Sequence, residues 1–284
     1  MEDFMSTIST EQLESLAKEF RYVITDMICR AGSGHLGGSL SLVEIVTTLY
    51  YRIMNVKPDN PQWEDRDRLV LSKGHAGPVL YVVLAYLGFF PKSWLKTLNQ
   101  NGTNLPSHVD HNKTPGIDMT AGSLGQGLSC ACGMAYAAKL NKKSYNVFCI
   151  IGDGESNEGQ IWEAAMFAGH NKLDNLVVIC DYNKMQIDGK TDDVVTLEPL
   201  VDKWRAFNFE VFEMDGHNWD DIYSTINKAI LVKGKPSMII AHTIKGKGNA
   251  EVENKVASHN IKINNQEDYE KYMKGLGYTM QLPY

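Results

Sequence analysis

Ile151-Gly152-Asp153-Gly154-Glu155-Ser156-Asn157-Glu158-Gly159 and Asp181-Tyr182-Asn183-Lys184-Met185 are the two stretches that decide the fold of this 284-residue chain. Each follows an apolar run, residues 145–151 and 175–181, and a helical pattern over 160–170 lies between them. Asn183 comes thirty residues after Asp153, a strand-helix-strand interval that returns the chain beside its start. Taken singly, Gly-Asp-Gly and Asn are ordinary turn formers. Taken together they bring a carboxylate, an amide and backbone carbonyls to one edge, with glycines that let the backbone approach a phosphate. Such hard oxygen donors suit magnesium, which also takes phosphate oxygens and usually keeps a water. The pair therefore predicts a diphosphate-anchoring site.

Working outward, residues 68–72 and 237–243 are further apolar runs bounded by turn residues, and 209–214 reads as another strand. A second helical stretch covers 123–140. The alternation implies an α/β fold, a mostly parallel central sheet with helices on both faces. Ligands of such sheets lie outside the carboxyl ends of the strands. Lys73-Gly74-His75, Gly152-Asp153-Gly154 and Asn183-Lys184-Met185 all fall there.

Ser9-Thr10-Glu11-Gln12 has the form of a capping box, and Leu13, Leu16, Ala17, Phe20, Ile24, Met27 and Ile28 recur behind it at helical spacing. That helix stops near Ala31-Gly32-Ser33-Gly34, placing His35 on a loop ahead of a second helix over 42–51. From about Lys245 the chain turns polar, beginning with Lys245-Gly246-Lys247-Gly248. With no internal repeat or linker, residues 1–284 are expected to form a single domain with a polar C-terminal extension.

A net charge of −6 and a pI near 5.8 exclude a general nucleic-acid or anionic-membrane surface and favour a small-molecule partner. Cys29, Cys130, Cys132, Cys149 and Cys180 read as reduced core thiols; the lone C-x-C pair lacks the partners of a zinc site. Met1-Glu2-Asp3-Phe4 shows no basic region followed by an apolar one, and the apolar run over 79–90 falls short of the roughly 20 residues needed to span a bilayer. A cytoplasmic protein is expected.

The Gly-Asp-Gly…Asn interval resembles the thiamine-diphosphate motif. Ser33-Gly34-His35, Leu71-Ser72-Lys73-Gly74-His75-Ala76, Ser107-His108, Thr120-Ala121-Gly122-Ser123-Leu124-Gly125-Gln126-Gly127 and Asp188-Gly189 are likewise similar to transketolase segments, in transketolase order. Ser123 stands where a typical transketolase has Pro. Deoxyxylulose-phosphate-forming enzymes share some of these elements, but the Ser-Lys-Gly-His-Ala and Gly-Ser-Leu-Gly-Gln-Gly segments look like transketolase.

The resemblance implies roles residue by residue. Asp153, Asn183 and the carbonyl of Met185 would hold Mg2+, for which Ca2+ or Mn2+ substitutes. Gly154 would lie against the diphosphate, with Gly122, Ser123 and Leu124 lining the cofactor. His75 would contact the diphosphate side, and His259 would sit near cofactor and substrate. His35 and His108 would face the donor sugar, since imidazoles donate, accept and stabilise oxyanions. Glu158 reads as a solvated acid at a helix N-terminus or, on the family pattern, as a contact between subunits. His111, His170, His217 and His242 are assigned to structure, with His111 in reserve. Lys245 and Lys247 are candidates for phosphate contact.

The implied activity is transfer of a two-carbon ketol (glycolaldehyde) unit from a ketose phosphate to an aldose phosphate, as in the pentose phosphate pathway. Family members also carry a pyrimidine-binding and a C-terminal domain, and this chain ends at Tyr284 before either would begin. Either a partner C-terminal subunit carrying the pyrimidine-binding domain completes the site, with two copies of each chain, or the sequence is a fragment; the split form is the one expected. Two alternatives stand beside this: a split paralogue taking a branched or sulfonated sugar phosphate, and a non-catalytic regulatory module. Retention of Asp153, Asn183 and the histidines argues against the module.

Overall fold

The computed structural model describes residues 8–284, so the Met1-Glu2-Asp3-Phe4 segment lies outside the described residues. Five parallel strands form its central sheet: β1 (Arg68–Leu71), β2 (Val147–Gly152), β3 (Leu176–Tyr182), β4 (Glu210–Asp215) and β5 (Ser237–His242). Their spatial order is β1-β2-β3-β5-β4. Every run expected as a strand forms one of these five. The helices used below are, in chain order, α1 (Thr10–Arg30), α2 (Leu36–Leu40), α3 (Val43–Thr48), α4 (Gly77–Leu87), α5 (Gln126–Leu140), α6 (Gly159–His170), α7 (Leu200–Ala206), α8 (Trp219–Leu231) and α9 (Gln266–Lys274).

The strands alternate between two cores, as a period of two requires. Leu69, Leu71, Phe148, Ile150, Val177, Ile179 and Ile239 point to the side packed by α1, α3, α4 and α8. Val70, Cys149, Ile151, Val178, Cys180 and Ile240 point to the side packed by α5, α6 and α7. Both faces are covered, which is why β2 and β3 read as unbroken apolar runs. Each fully buried Val, Leu or Ile contributes about 1.5–3 kcal/mol.

Local sequence sets where the helices start. At α1 the Ser9 hydroxyl accepts from the Gln12 N–H at 3.2 Å, and the Gln12 side chain accepts from the Ser9 N–H at 2.8 Å. The helix expected from residue 123 begins at Gln126 instead, because Gly125 holds φ at +86°, a left-handed conformation that a helix does not propagate. The stretch expected as one helix over 42–51 is α3 followed by a π-turn over Leu49–Ile53, with the short α2 before it.

The segment after Lys245 folds back over the body. Ile261–Lys262 pairs antiparallel with Ser33–Gly34, and α9 packs along α1. Its polar groups are used inside: the Tyr269 and Tyr284 hydroxyls each donate to the fully buried Asp26 carboxylate at 2.6 Å. Four of the five cysteines are buried, but Cys130 is exposed. The expectation of a buried thiol there fails because residues two apart on α5 point in different directions, so only Cys132 can face the sheet. Among the described residues no helix is long and apolar enough to cross a membrane.

Candidate active site at the carboxyl edge of the sheet

All five strands end on the same side, and four deliver polar residues there: Lys73 and His75 after β1, Asp153 after β2, Asn183 after β3 and Lys245 after β5. These residues line a cavity of about 410 Å³. Its floor is an ion pair. The Lys73 ammonium donates to Asp181 at 2.5 Å, and the Ser41 and Thr243 hydroxyls donate to the same carboxylate. Burial would raise the Asp181 carboxyl, but Lys73 and the hydroxyls outweigh it and hold the group below the usual range.

Four histidines converge above this floor. The His35 ring centre lies 5.0 Å from His75, 5.4 Å from His108 and 5.2 Å from His259; His75 and His259 are also 5.2 Å apart. They come from four separate segments: the end of the Ser33–Gly34 strand, the 3-10 turn after β1, the loop after α4, and the 3-10 turn over Val256–His259. The antiparallel pairing of residues 33–34 with 261–262 closes the distance between His35 and His259. Burial pushes His35 down to about 4 and His259 to about 3, aided by neighbouring histidines and by the Lys73 and Lys245 ammoniums. His75 is held well below its ordinary value, first by burial and then by Lys73, and burial lowers His108 too. The rings are therefore neutral at pH 7, each able to donate from one nitrogen and accept at the other.

Among the described residues, the Asp153 carboxylate is bonded only to main-chain groups, the Gly154 N–H at 2.7 Å and the Lys184 N–H at 2.5 Å. Burial and the adjacent Asp181 charge push its carboxyl up to about 7. The Asn183 side-chain oxygen accepts from the Met185 N–H at 3.1 Å, and the Met185 carbonyl accepts from the Lys245 ammonium at 3.4 Å. Among the described residues no three His, Cys, Asp or Glu side chains form a metal cage. The set is thus a partial shell of a carboxylate, an amide and a carbonyl. It fits a hard divalent cation that brings further oxygens on a phosphate ligand. A Cβ on Gly154 would lie 2.8 Å from that of Gln186, so only glycine leaves the cradle open, while nothing stands within 4 Å of a Cβ on Gly122.

Gly122, Leu124, Gly154 and Glu158 line the cavity, with Glu158 exposed at its mouth; Ser123 is exposed and is not among the lining residues. Lys245 is buried in the cavity wall, its ammonium 3.3 Å from His259 Nδ1, and burial followed by Lys73 lowers it to about 8. Lys247 is not among the lining residues. Neither is His111, whose Nδ1 bonds the Ile117 carbonyl, nor His242, which bonds Glu213.

The sequence motifs give no role to Lys73, Asp181 or Glu155. Glu155 is buried, accepts from the Ser72 hydroxyl and from the N–H groups of Gly125 and Gly152, and so ties two strand ends to the loop over 122–125. A signal for it existed in its place directly after Gly-Asp-Gly. A second missed feature is the apolar lip, where Ile187, Val194 and Val195 are respectively 64%, 41% and 56% exposed.

A parallel α/β sheet with an oxygen-rich, lysine-floored cavity at its carboxyl edge defines a domain built to bind a phosphorylated cofactor. The family model for the thiamine diphosphate binding domain of transketolase matches residues 13–284. The chain belongs to that family. It is 55% identical over 251 residues to the 6-deoxy-6-sulfo-D-fructose transketolase subunit SqwG of Clostridium sp. (strain MSTE9), covering 88% of this chain and 91% of that one. It is 40% identical over 267 residues to an apulose-4-phosphate transketolase subunit of Phocaeicola vulgatus, covering 94% of each. The transketolase of Campylobacter jejuni superposes with a TM-score of 0.89 at 33% identity. That match covers 95% of this chain but only 43% of the Campylobacter one, so the chain spans less than half of that transketolase.

Proposed function

We propose that this chain is the diphosphate-binding subunit of a split transketolase, moving a two-carbon ketol unit from a ketose to an aldose. The observation that carries the proposal is the convergence of four neutral histidines over a cavity whose floor and wall hold Lys73, Asp153, Asn183 and Lys245. Asp153, Asn183 and the Met185 carbonyl would hold Mg2+ with the diphosphate of thiamine diphosphate, and Gly122, Leu124 and Gly154 would make room for it. When bound, the cofactor supplies a nucleophilic carbon and an electron sink for breaking a carbon–carbon bond beside a ketone.

In this reading the protein's part is orientation and proton handling. Lys73 and Lys245 offset diphosphate charge. His35 and His108 donate to sugar oxygens, and His75 and His259 stabilise oxygen charge as it develops near the cofactor. Their depressed values keep them uncharged, so each can hold or pass one proton.

Two observations support a partner. The lip residues Ile187, Val194 and Val195 are exposed apolar surface beside the cavity, and Tyr136, Leu140, Met166 and Phe167 form a second exposed apolar set on α5 and α6. The SqwG and apulose-4-phosphate relatives are themselves named as subunits and match this chain in length. The 55% identity to SqwG favours a donor that ends in a sulfonate over an ordinary pentose phosphate.

The test mixes the purified chain with its candidate C-terminal subunit, thiamine diphosphate and Mg2+, and follows two-carbon transfer to ribose 5-phosphate from xylulose 5-phosphate and from 6-deoxy-6-sulfofructose. Activity is expected only in the mixture, and greater with the sulfonated donor. Full activity of the chain alone overturns the split arrangement. A larger rate with xylulose 5-phosphate overturns the donor preference.

A further inference from the structure

Outside the cavity, the buried Glu44 carboxylate on α3 gathers two partners from distant parts of the chain. Arg21 of α1 donates to both of its oxygens through Nη2, at 2.7 and 2.8 Å. His217 Nδ1 lies 3.1 Å from Oε2. Both partners then reach the same segment: Arg21 Nε donates to the Lys247 carbonyl at 2.8 Å, and the Ile244 N–H donates to His217 Nε2 at 2.9 Å. Between those two anchored residues stands Lys245.

We propose that Arg21, Glu44 and His217 form a clamp that positions the 244–248 loop, and with it the Lys245 ammonium, for the phosphorylated ligand; this rests on the transketolase function proposed above. Three features argue for it. First, the tautomer is settled by the partners. A backbone N–H can only donate, so Nε2 of His217 accepts and Nδ1 carries the proton that Glu44 receives. Second, the packing leaves no slack. A Cβ on Gly216 would come 2.4 Å from Thr243 Cγ2, and one on Gly248, at φ +83°, would come 2.9 Å from Arg21 Nε. Third, the clamp adjoins the cavity floor, because Thr243 donates its hydroxyl to Asp181. These residues touch no reacting atom. They act through Lys245, much as outer partners orient the groups that hold a metal.

Gln and Ala separate the acceptor role of the ring from its bulk. Gln places an amide oxygen near the position of Nε2 and retains the acceptor for Ile244, whereas Ala removes it. Hydrogen exchange of the 244–248 amides in the chain, and calorimetric binding of thiamine diphosphate at saturating Mg2+ to the chain mixed with its candidate C-terminal subunit, are measured for wild type, His217→Ala and His217→Gln. His217→Ala is expected to speed exchange at Ile244 and to weaken cofactor binding roughly tenfold, with His217→Gln restoring most of both. Wild-type exchange and affinity in His217→Ala overturn the clamp, as does a His217→Gln variant no better than Ala. If the wild type mixed with its C-terminal subunit binds no thiamine diphosphate, the proposed function fails, and the exchange comparison alone still decides whether the clamp exists.

Discussion

Asp153 and Asp181 are neighbouring buried carboxylates at one edge of the sheet, linked by a 3.3 Å bond from the Asp153 N–H to the Asp181 carbonyl. Asp181, inside β3, has an ammonium and two hydroxyls. Asp153, one residue beyond β2, accepts from two main-chain N–H groups and, among the described residues, bonds no cation directly, with Lys73 and Lys245 acting on it only from a distance. Their acidities diverge accordingly: Lys73 holds Asp181 low against its burial, while burial and the Asp181 charge push Asp153 up to about 7. One acid is completed by the fold. The other is left with an unfavourable burial that a bound cation would relieve, as expected of the anchoring role proposed for it.

The largest effect that can break this comparison is removal of the floor cation. Lys73→Met leaves a fully buried carboxylate without its counter-charge, and should cost about 3–5 kcal/mol in urea unfolding. The Lys73→Met/Asp181→Asn double variant should recover most of that loss, since the unpaired charge is gone. A single-variant loss below about 1 kcal/mol would show that Asp181 is not the structural member of the pair.

A smaller effect sharpens the other half. The Asp153 carboxyl sits above its unfolded value of 3.8, so in the metal-free protein its contribution is fully present below about pH 4 and is lost as pH rises towards 7. Wild type should therefore lose stability over that window relative to Asp153→Asn. If Asp153 holds Mg2+ with thiamine diphosphate as proposed, it does so as the ionised carboxylate, so affinity should climb over the same range and be lost in Asp153→Asn. Parallel stability profiles for the two proteins would remove Asp153 from this role.

The smallest effect concerns residues away from the edge. A maleimide reagent should label Cys130 quickly in the native protein and spare Cys149 and Cys180, whose burial keeps them as thiols. Cys130→Ser should change stability by no more than about 0.5 kcal/mol. Rapid native labelling of Cys149 would mean that the α5–α6 layer opens readily.

Much of the sheet was legible because its strands are apolar runs bounded by turn residues, and the first helix because Ser9 and Gln12 form a local cap. The helix start at Gln126 was not, since a left-handed Gly125 leaves no mark in hydrophobic periodicity. Asp153, Asn183 and the four histidines stood out through short motifs. Lys73 and Asp181 were in plain view at strand ends, but their pairing was not, because the partners are 108 residues apart. The stretch after Lys245 read as a polar extension for a related reason: its polar groups bond Asp26, Gly37 and Met185, all far away in the chain.

By itself the sequence determined the element types, the two-faced burial of the strands and the residue kinds that gather at strand ends, because these follow from periodicity and backbone preference over a few residues. Only the tertiary structure decided which charges meet. Placing β5 between β3 and β4 carries Lys245 to the cavity, and pairing residues 33–34 with 261–262 brings His259 to His35. Coulomb energy and desolvation depend on distances of a few ångströms between remote residues, and those distances exist only once the sheet is assembled.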